Sequence, residues 1–95
     1  MHVISRKKLL EASGQHPSLA GPLDAWYRIA KQAHWRSLAD VRRTLPTADA
    51  VGQFTIFNVK GNHFRLVTEI NYLAGRIFVR YVLTHADYDK GDWKR

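Results

Sequence analysis

Up to Pro46 the apolar residues of this chain recur every three or four positions, whereas from Gln53 onward they fall into blocks rich in β-branched and aromatic residues. One change of period therefore splits 95 residues into a helical half and a strand half. A chain this short has room for a single modest core, so the two halves must bury their apolar faces against each other. That reasoning predicts one α+β domain over residues 1–95, with two layers and the helices on one face of an antiparallel sheet.

Local signals set the elements. His2-Val3-Ile4 reads as a short strand running into Ser5 as the N-cap of a first helix that ends near Gly14. A second helix is expected to begin between Ser18 and Pro22, because proline fits a first turn. Its stripe is Leu19, Leu23, Trp26, Ala30 and Ala33, at helical spacing. Ser37-Leu38-Ala39-Asp40 resembles a capping box with aspartate in place of glutamate and predicts a short third helix or turn ending at Pro46. Thr47 to Gly52 is small and polar and reads as a loop.

Three strands should follow, over 54–59, 63–70 and 77–83, joined by a Gly61-Asn62 turn and by Asn71 to Gly75. A Thr84 cap then opens a final helical turn. Trp26 falls on the stripe and belongs to the core, Trp35 suits core or groove, and Trp93 in its charged tail reads as peripheral.

Composition narrows the chemistry. The formal charge is +7, from 15 Lys and Arg against 8 Asp and Glu, which favours a polyanionic or phosphate-rich partner. Zero cysteines exclude a disulfide scaffold, thiolate zinc and a cysteine nucleophile, and suit a reducing cytoplasm. His2, His16, His34 and His63 lack paired ligand spacing, so neither a metal nor a cofactor is expected. No stretch is long and apolar enough for a membrane span, and Arg6-Lys7-Lys8 leads into no signal-peptide core.

Strand alternation distributes the charge. Phe64, Leu66, Thr68 and Ile70 share one face and His63, Arg65, Val67 and Glu69 the other. On the last strand Ile77, Val79, Tyr81 and Leu83 form the apolar set expected to meet the helices, leaving Arg76, Phe78, Arg80, Val82 and Thr84 opposite. A Gly61-Asn62 turn puts Asn58 across from Arg65, and a connecting loop of even length puts Arg65 and Arg80 on one face, with His85 at the rim. Two arginines on one face repel unless an anion lies between them. A phosphate is one answer; pairing with Glu69, Asp87 or Asp89 is the other. Tyr88 lies three positions after His85, and Asp87 and Asp89 are placed to orient the imidazole.

Phe57-Asn58-Val59-Lys60-Gly61-Asn62-His63-Phe64-Arg65-Leu66, followed by Val79-Arg80-Tyr81-Val82-Leu83-Thr84-His85-Ala86-Asp87-Tyr88-Asp89, resembles the HigB family of bacterial type II toxins within the RelE-like superfamily. The resemblance implies a RelE-like fold and an mRNA interferase that cuts messenger RNA on the translating ribosome. It also implies inhibition by a helix-turn-helix antitoxin of the HigA type, through which alone the toxin would meet operator DNA. By position, Arg65, Arg80, His85 and Tyr88 look like the family's active face, with Lys60 and Asn62 as neighbours on its turn. His63, Arg76, Lys90 and Lys94 complete the expected RNA-contacting set, and Arg6, Lys7, Lys8, Arg42 and Arg43 are cations suited to ribosomal RNA or to water. A metal-free enzyme of this kind would use the RNA 2′-hydroxyl as nucleophile, with Arg65 and Arg80 on the phosphate and His85 with Tyr88 moving or orienting the proton. The competing readings are a noncatalytic nucleic-acid-binding module and a structural partner subunit.

Overall fold

The computed structural model describes residues 1–94. Along the chain come β1 (His2–Ile4), α1 (Arg6–Gln15), a 3₁₀ turn (Pro17–Leu19), α2 (Ala20–Gln32) and α3 (Leu38–Thr44). Then follow β2 (Asp49–Val51), β3 (Phe54–Val59), β4 (Phe64–Asn71), β5 (Arg76–Thr84), α4 (His85–Lys90) and a last 3₁₀ turn (Asp92–Lys94). The strands form one sheet in the order β1-β5-β4-β3-β2. β2 to β5 are an antiparallel meander, and β1 joins the far edge parallel to β5, pairing only with Arg76, Ile77 and Phe78. The architecture is the expected α+β arrangement of helices on a sheet, with the sheet mixed rather than purely antiparallel.

Each helix is held differently. Ser5 stands at the N-cap of α1 but its side chain accepts no capping bond, so burial of Leu9 and Ala12 fixes this helix instead. α2 is entered through the 3₁₀ turn begun by Pro17, and Leu19, Leu23, Trp26 and Ala30 of the stripe are buried while Ala33 turns extended as the C-cap. In α3 the Ser37 hydroxyl accepts from the Asp40 N–H at 3.4 Å, and the Asp40 carboxylate accepts from the Arg36 N–H at 3.0 Å. Those bonds from Arg36, backbone first, hold the Asp40 carboxyl below its ordinary value.

The segment expected to be a loop, Thr47 to Gly52, contains β2. Nothing in its own composition demands a strand. Its backbone partners come from β3, with Asp49 opposite Ile56 and Val51 opposite Phe54, and Gly52 turns the chain at φ 59°. Arg42 of α3 clamps it, donating to the Ala48 carbonyl at 2.9 Å and to Asp49 Oδ1 at 3.2 Å.

The principal core lies between the helices and one sheet face. Phe57, Val59, Leu66, Ile77 and Val79 meet Leu9, Leu19, Leu23, Trp26 and Val41 there, and each large side chain so buried contributes about 1.5–3 kcal/mol of transfer free energy. Trp26 meets Phe57 edge-on at 5.4 Å, and Trp35, buried in the same core, stacks on that ring at 6.2 Å.

A β-bulge changes what the other face carries. Phe64 to Val67 pair with Thr84 to Tyr81, but Thr68 pairs with Val79, so Arg80 is an extra residue on β5. Uninterrupted alternation would send Tyr81 and Leu83 to the helices with Ile77 and Val79. The inserted residue reverses the phase, so Val82 packs against the principal core and Tyr81 and Leu83 turn to the side that carries Arg65 and Val67. That side has a small core of its own, formed by Phe54, Ile56, Val67 and Trp93, with Leu83 and Tyr88 packed against it. Trp93 is thus not peripheral: it is 6% exposed, meets Phe54 edge-on at 5.3 Å and donates from Nε1 to the Tyr88 carbonyl at 2.9 Å.

Candidate active site

The β3–β4 turn and α4 meet at one end of the sheet face opposite the main helices. Lys60 and Gly61 both adopt positive φ, 53° and 61°, and the turn closes with the His63 N–H donating to the Lys60 carbonyl at 3.3 Å. Glycine meets that demand freely; Lys60 carries the strain of a side chain in the left-handed region. The turn sets the register in which Asn58 faces Arg65.

Arg65 is fixed by its neighbours. One guanidinium nitrogen donates to Asn62 Oδ1 at 2.6 Å and the other to the Asn62 and Phe64 carbonyls at 3.1 and 3.2 Å. The same group lies over the Tyr88 ring, 5.6 Å from its centre. A guanidinium held this way keeps its charge and its planar fork in one orientation, which lowers the ordering cost of gripping an anion.

α4 is short, and both its ends are capped, the first by a side chain and the last by backbone. Thr84 accepts from the Asp87 N–H at 3.1 Å, and Gly91 closes the helix at φ 76°. The His85 N–H donates to the His63 carbonyl at 3.0 Å, tying the helix to the β3–β4 turn. His85 Nδ1 lies 2.7 Å from Asp89 Oδ2, one helical turn on. A neutral imidazole donating from Nδ1 presents Nε2 as a proton acceptor. Tyr88 stacks on Trp93 at 5.0 Å with the rings 17° apart. Burial is the main reason its hydroxyl titrates above the ordinary tyrosine value; Asp49 adds to the rise, Arg65 opposes it and Asp89 adds again. Tyr88 is therefore a hydrogen-bond donor at neutral pH, not a phenolate base.

Arg80 lies on the same face further along β5. Its Nε donates to Glu69 Oε1 at 3.1 Å, and its guanidinium covers the Phe78 ring at 5.0 Å. The repulsion between the two arginines is relieved separately, by Glu69 for Arg80 and by amide and carbonyl oxygens for Arg65. Lys8 of α1 reaches the unpaired edge of β5 and donates to the Arg80 carbonyl at 3.1 Å.

The fold therefore gathers Asn62, His63, Arg65, His85 and Tyr88 at one corner, with Lys60 exposed on its turn and Arg80 down the strand. Arg76 does not join them: it begins β5 at the opposite end, level with His2 and Asn71. Lys90 lies 3.7 Å from Asp87, and the Lys94 ammonium lies 5.7 Å from the centre of the Trp93 ring. Trp93 as the floor beneath Tyr88 was not legible in the sequence, since its partners Phe54 and Tyr88 flank three strands and give no local period. Among the described residues no three His, Cys, Asp or Glu side chains converge as a metal-binding group, and no helix is long and apolar enough to cross a membrane.

Comparison with known proteins identifies the family. Residues 19–91 match the HigB toxin family, described as the RelE-like toxic component of a toxin–antitoxin system. The mRNA interferase HigB of Escherichia coli O6:H1 is 30% identical over 93 residues, covering 95% of this chain and 90% of that protein. The mRNA interferase toxin HigB of Escherichia coli K12 is 26% identical over 92 residues, covering 94% and 88%, and the mRNA interferase HigB of Shigella flexneri matches to the same extent. Both segments that build the corner, the β3–β4 turn and α4, lie inside the family match, and the chain belongs to the HigB family of RelE-like toxins.

Proposed function

We propose that this toxin is a cytoplasmic endoribonuclease that cleaves messenger RNA on the translating ribosome, without a metal ion, through attack of the RNA 2′-hydroxyl. The observation that carries the reading is the corner itself: a guanidinium locked by Asn62 beside a hydroxyl-bearing ring and an imidazole oriented by a carboxylate. The relatives' names, mRNA interferase, support the same class of reaction.

In this mechanism the His85 Nε2 takes the proton of the 2′-hydroxyl as its oxygen bonds to phosphorus. The bond from phosphorus to the 5′-oxygen breaks, and the same proton passes to that leaving oxygen, giving a cyclic phosphate and a free 5′-hydroxyl. Asp89 holds the imidazole and stabilises its charged form midway. Arg65 binds the phosphoryl oxygens, Tyr88 donates to them, and Arg80 supplies a second cation once Glu69 is displaced or shared. Lys60, Asn62, His63, Lys90 and Lys94 border the path of the strand and contribute phosphate contacts.

An antitoxin partner follows from membership in a toxin–antitoxin family. A HigA-type helix-turn-helix protein, carrying the operator-DNA contacts, is the partner this reading names.

The test incubates the purified chain with ribosomes carrying a defined mRNA and maps new 5′ ends. Wild type should generate cuts, and Arg65→Ala and His85→Ala should lose about two to four orders of magnitude in rate while staying folded. No new ends from wild type, with or without ribosomes, overturns the reading and leaves a binding module.

A further inference from the structure

The bulge at Arg80 interrupts the β4–β5 ladder; it packs Val82 into the principal core and Leu83 against the second one, and it turns Tyr81, between Arg80 and Val82, outward. Among the described residues Tyr81 is the one aromatic of the large apolar side chains that stay exposed, at 41%. Its hydroxyl makes no hydrogen bond among the described residues, so polar satisfaction does not account for its placement.

Its surroundings suit a flat, anionic chain. Tyr81 lies opposite Val67, two residues along β5 from Leu83, the partner of Arg65. That is about 7 Å along the strand, within reach of one extended nucleotide. On its other side comes Arg80. The Lys8 ammonium lies 6.0 Å from the ring centre. Beside the ring opens a groove of about 400 Å³ lined by Tyr81, Leu83, Asp87, Lys90, Asp92 and Trp93, a size that admits a planar ligand; the two aspartates leave the anionic backbone to the Arg65, Arg80 and Lys8 side of the ring and the groove to the base.

We propose that Tyr81 is a substrate-positioning platform, turned outward by the bulge, on which the base next to the scissile phosphate of a single-stranded RNA stacks. The inference rests on the ribonuclease reading above and extends it to how the strand is held. Stacking on an aromatic face tolerates any base, so Tyr81 sets register along the strand more than sequence. Arg65 on one side of the ring and Arg80 on the other then hold the scissile phosphate next to the stacked base, with the Lys8 ammonium as a further cation at the ring.

The experiment measures cleavage of mRNA on programmed ribosomes against ribosome concentration for wild type and for Tyr81→Ala, Tyr81→Leu, Tyr81→Phe and Tyr81→Trp. Tyr81→Ala and Tyr81→Leu should raise the half-saturating concentration about 5- to 150-fold, with the rate at saturation changed far less. Tyr81→Phe and Tyr81→Trp should stay within about twofold of wild type, because the ring and not the hydroxyl is used. Leucine keeps apolar bulk, so a merely structural Tyr81 would be rescued by it. Wild-type saturation behaviour in the alanine and leucine variants, rescue by leucine, or loss in the phenylalanine variant equal to that in alanine overturns the platform. Absence of cutting by wild type overturns the ribonuclease reading instead, and is seen without any Tyr81 variant.

Discussion

Trp93→Ala is the substitution that most directly probes how the site is supported. Trp93 is 6% exposed, stacks beneath Tyr88 at 5.0 Å, meets Phe54 at 5.3 Å and donates from Nε1 to the Tyr88 carbonyl. Truncating a buried tryptophan to alanine costs about 3–5 kcal/mol. Here the residue sits in a terminal 3₁₀ turn, and freeing that turn returns backbone entropy of about 1–2 kcal/mol per residue released. The low end of the range, about 3 kcal/mol, is therefore expected. A domain of this size has about 5–15 kcal/mol in total, so the variant remains folded at 25 °C. Trp93→Phe keeps a ring against Tyr88 and Phe54, loses the Nε1 hydrogen bond and some area, and should cost about 1–2 kcal/mol. Urea unfolding read by linear extrapolation measures both, and the alanine variant should melt about 12–20 °C lower. RNA cleavage measured in parallel should fall in the alanine variant, because Tyr88 loses its floor and Arg65 the ring it covers. An alanine variant within about 1 kcal/mol of wild type, cutting normally, would refute the idea that this second core builds the site.

Three further outcomes follow from the same contacts. Glu69→Gln should change stability by under about 1 kcal/mol, since the Arg80–Glu69 pair is partly exposed, and should steepen the salt dependence of single-stranded RNA binding by about 0.7 in log K against log salt; an unchanged slope removes Arg80 from phosphate contact. Lys60→Gly relieves a left-handed side-chain conformation, so stability should hold or rise by up to about 1 kcal/mol while RNA affinity falls, a separation that urea titration and filter binding read directly. Asp40 titrates lower in the folded protein than in the unfolded chain, so its contribution to stability is complete above its ordinary value of 3.8 and is lost as pH falls below it; Asp40→Asn should flatten the stability profile in that acid window, measured by thermal unfolding from pH 5 down to pH 2.

The sequence by itself determined whatever depends on neighbours a few residues apart. The helical stripe from Leu19 to Ala30, the Ser37 cap, the β3–β4 register and the Thr84 entry to α4 were all legible, because a helix period, a cap or a tight turn is closed by side chains and amides within one short window. Two halves of the site, Arg65 beside Asn62 and His85 beside Asp89, belong to that class at spacings of three and four.

Tertiary structure decided the rest. β2 exists because β3 offers its edge and Arg42 clamps it, and β1, whose pairing with β5 makes the sheet mixed, finds its partner more than seventy residues on, at the edge opposite β2. The extra residue at Arg80 is defined only against β4, yet it reverses which face Tyr81, Val82 and Leu83 present, and uninterrupted alternation assigned all three to the wrong side. Trp93 looks solvent-bound in its charged tail until Phe54 and Val67, far away in sequence, supply an apolar surface for it. A period of two or 3.6 records only which residues share a local face. What lies opposite that face, and whether a partner strand has shifted by one residue, is a property of pairs distant along the chain.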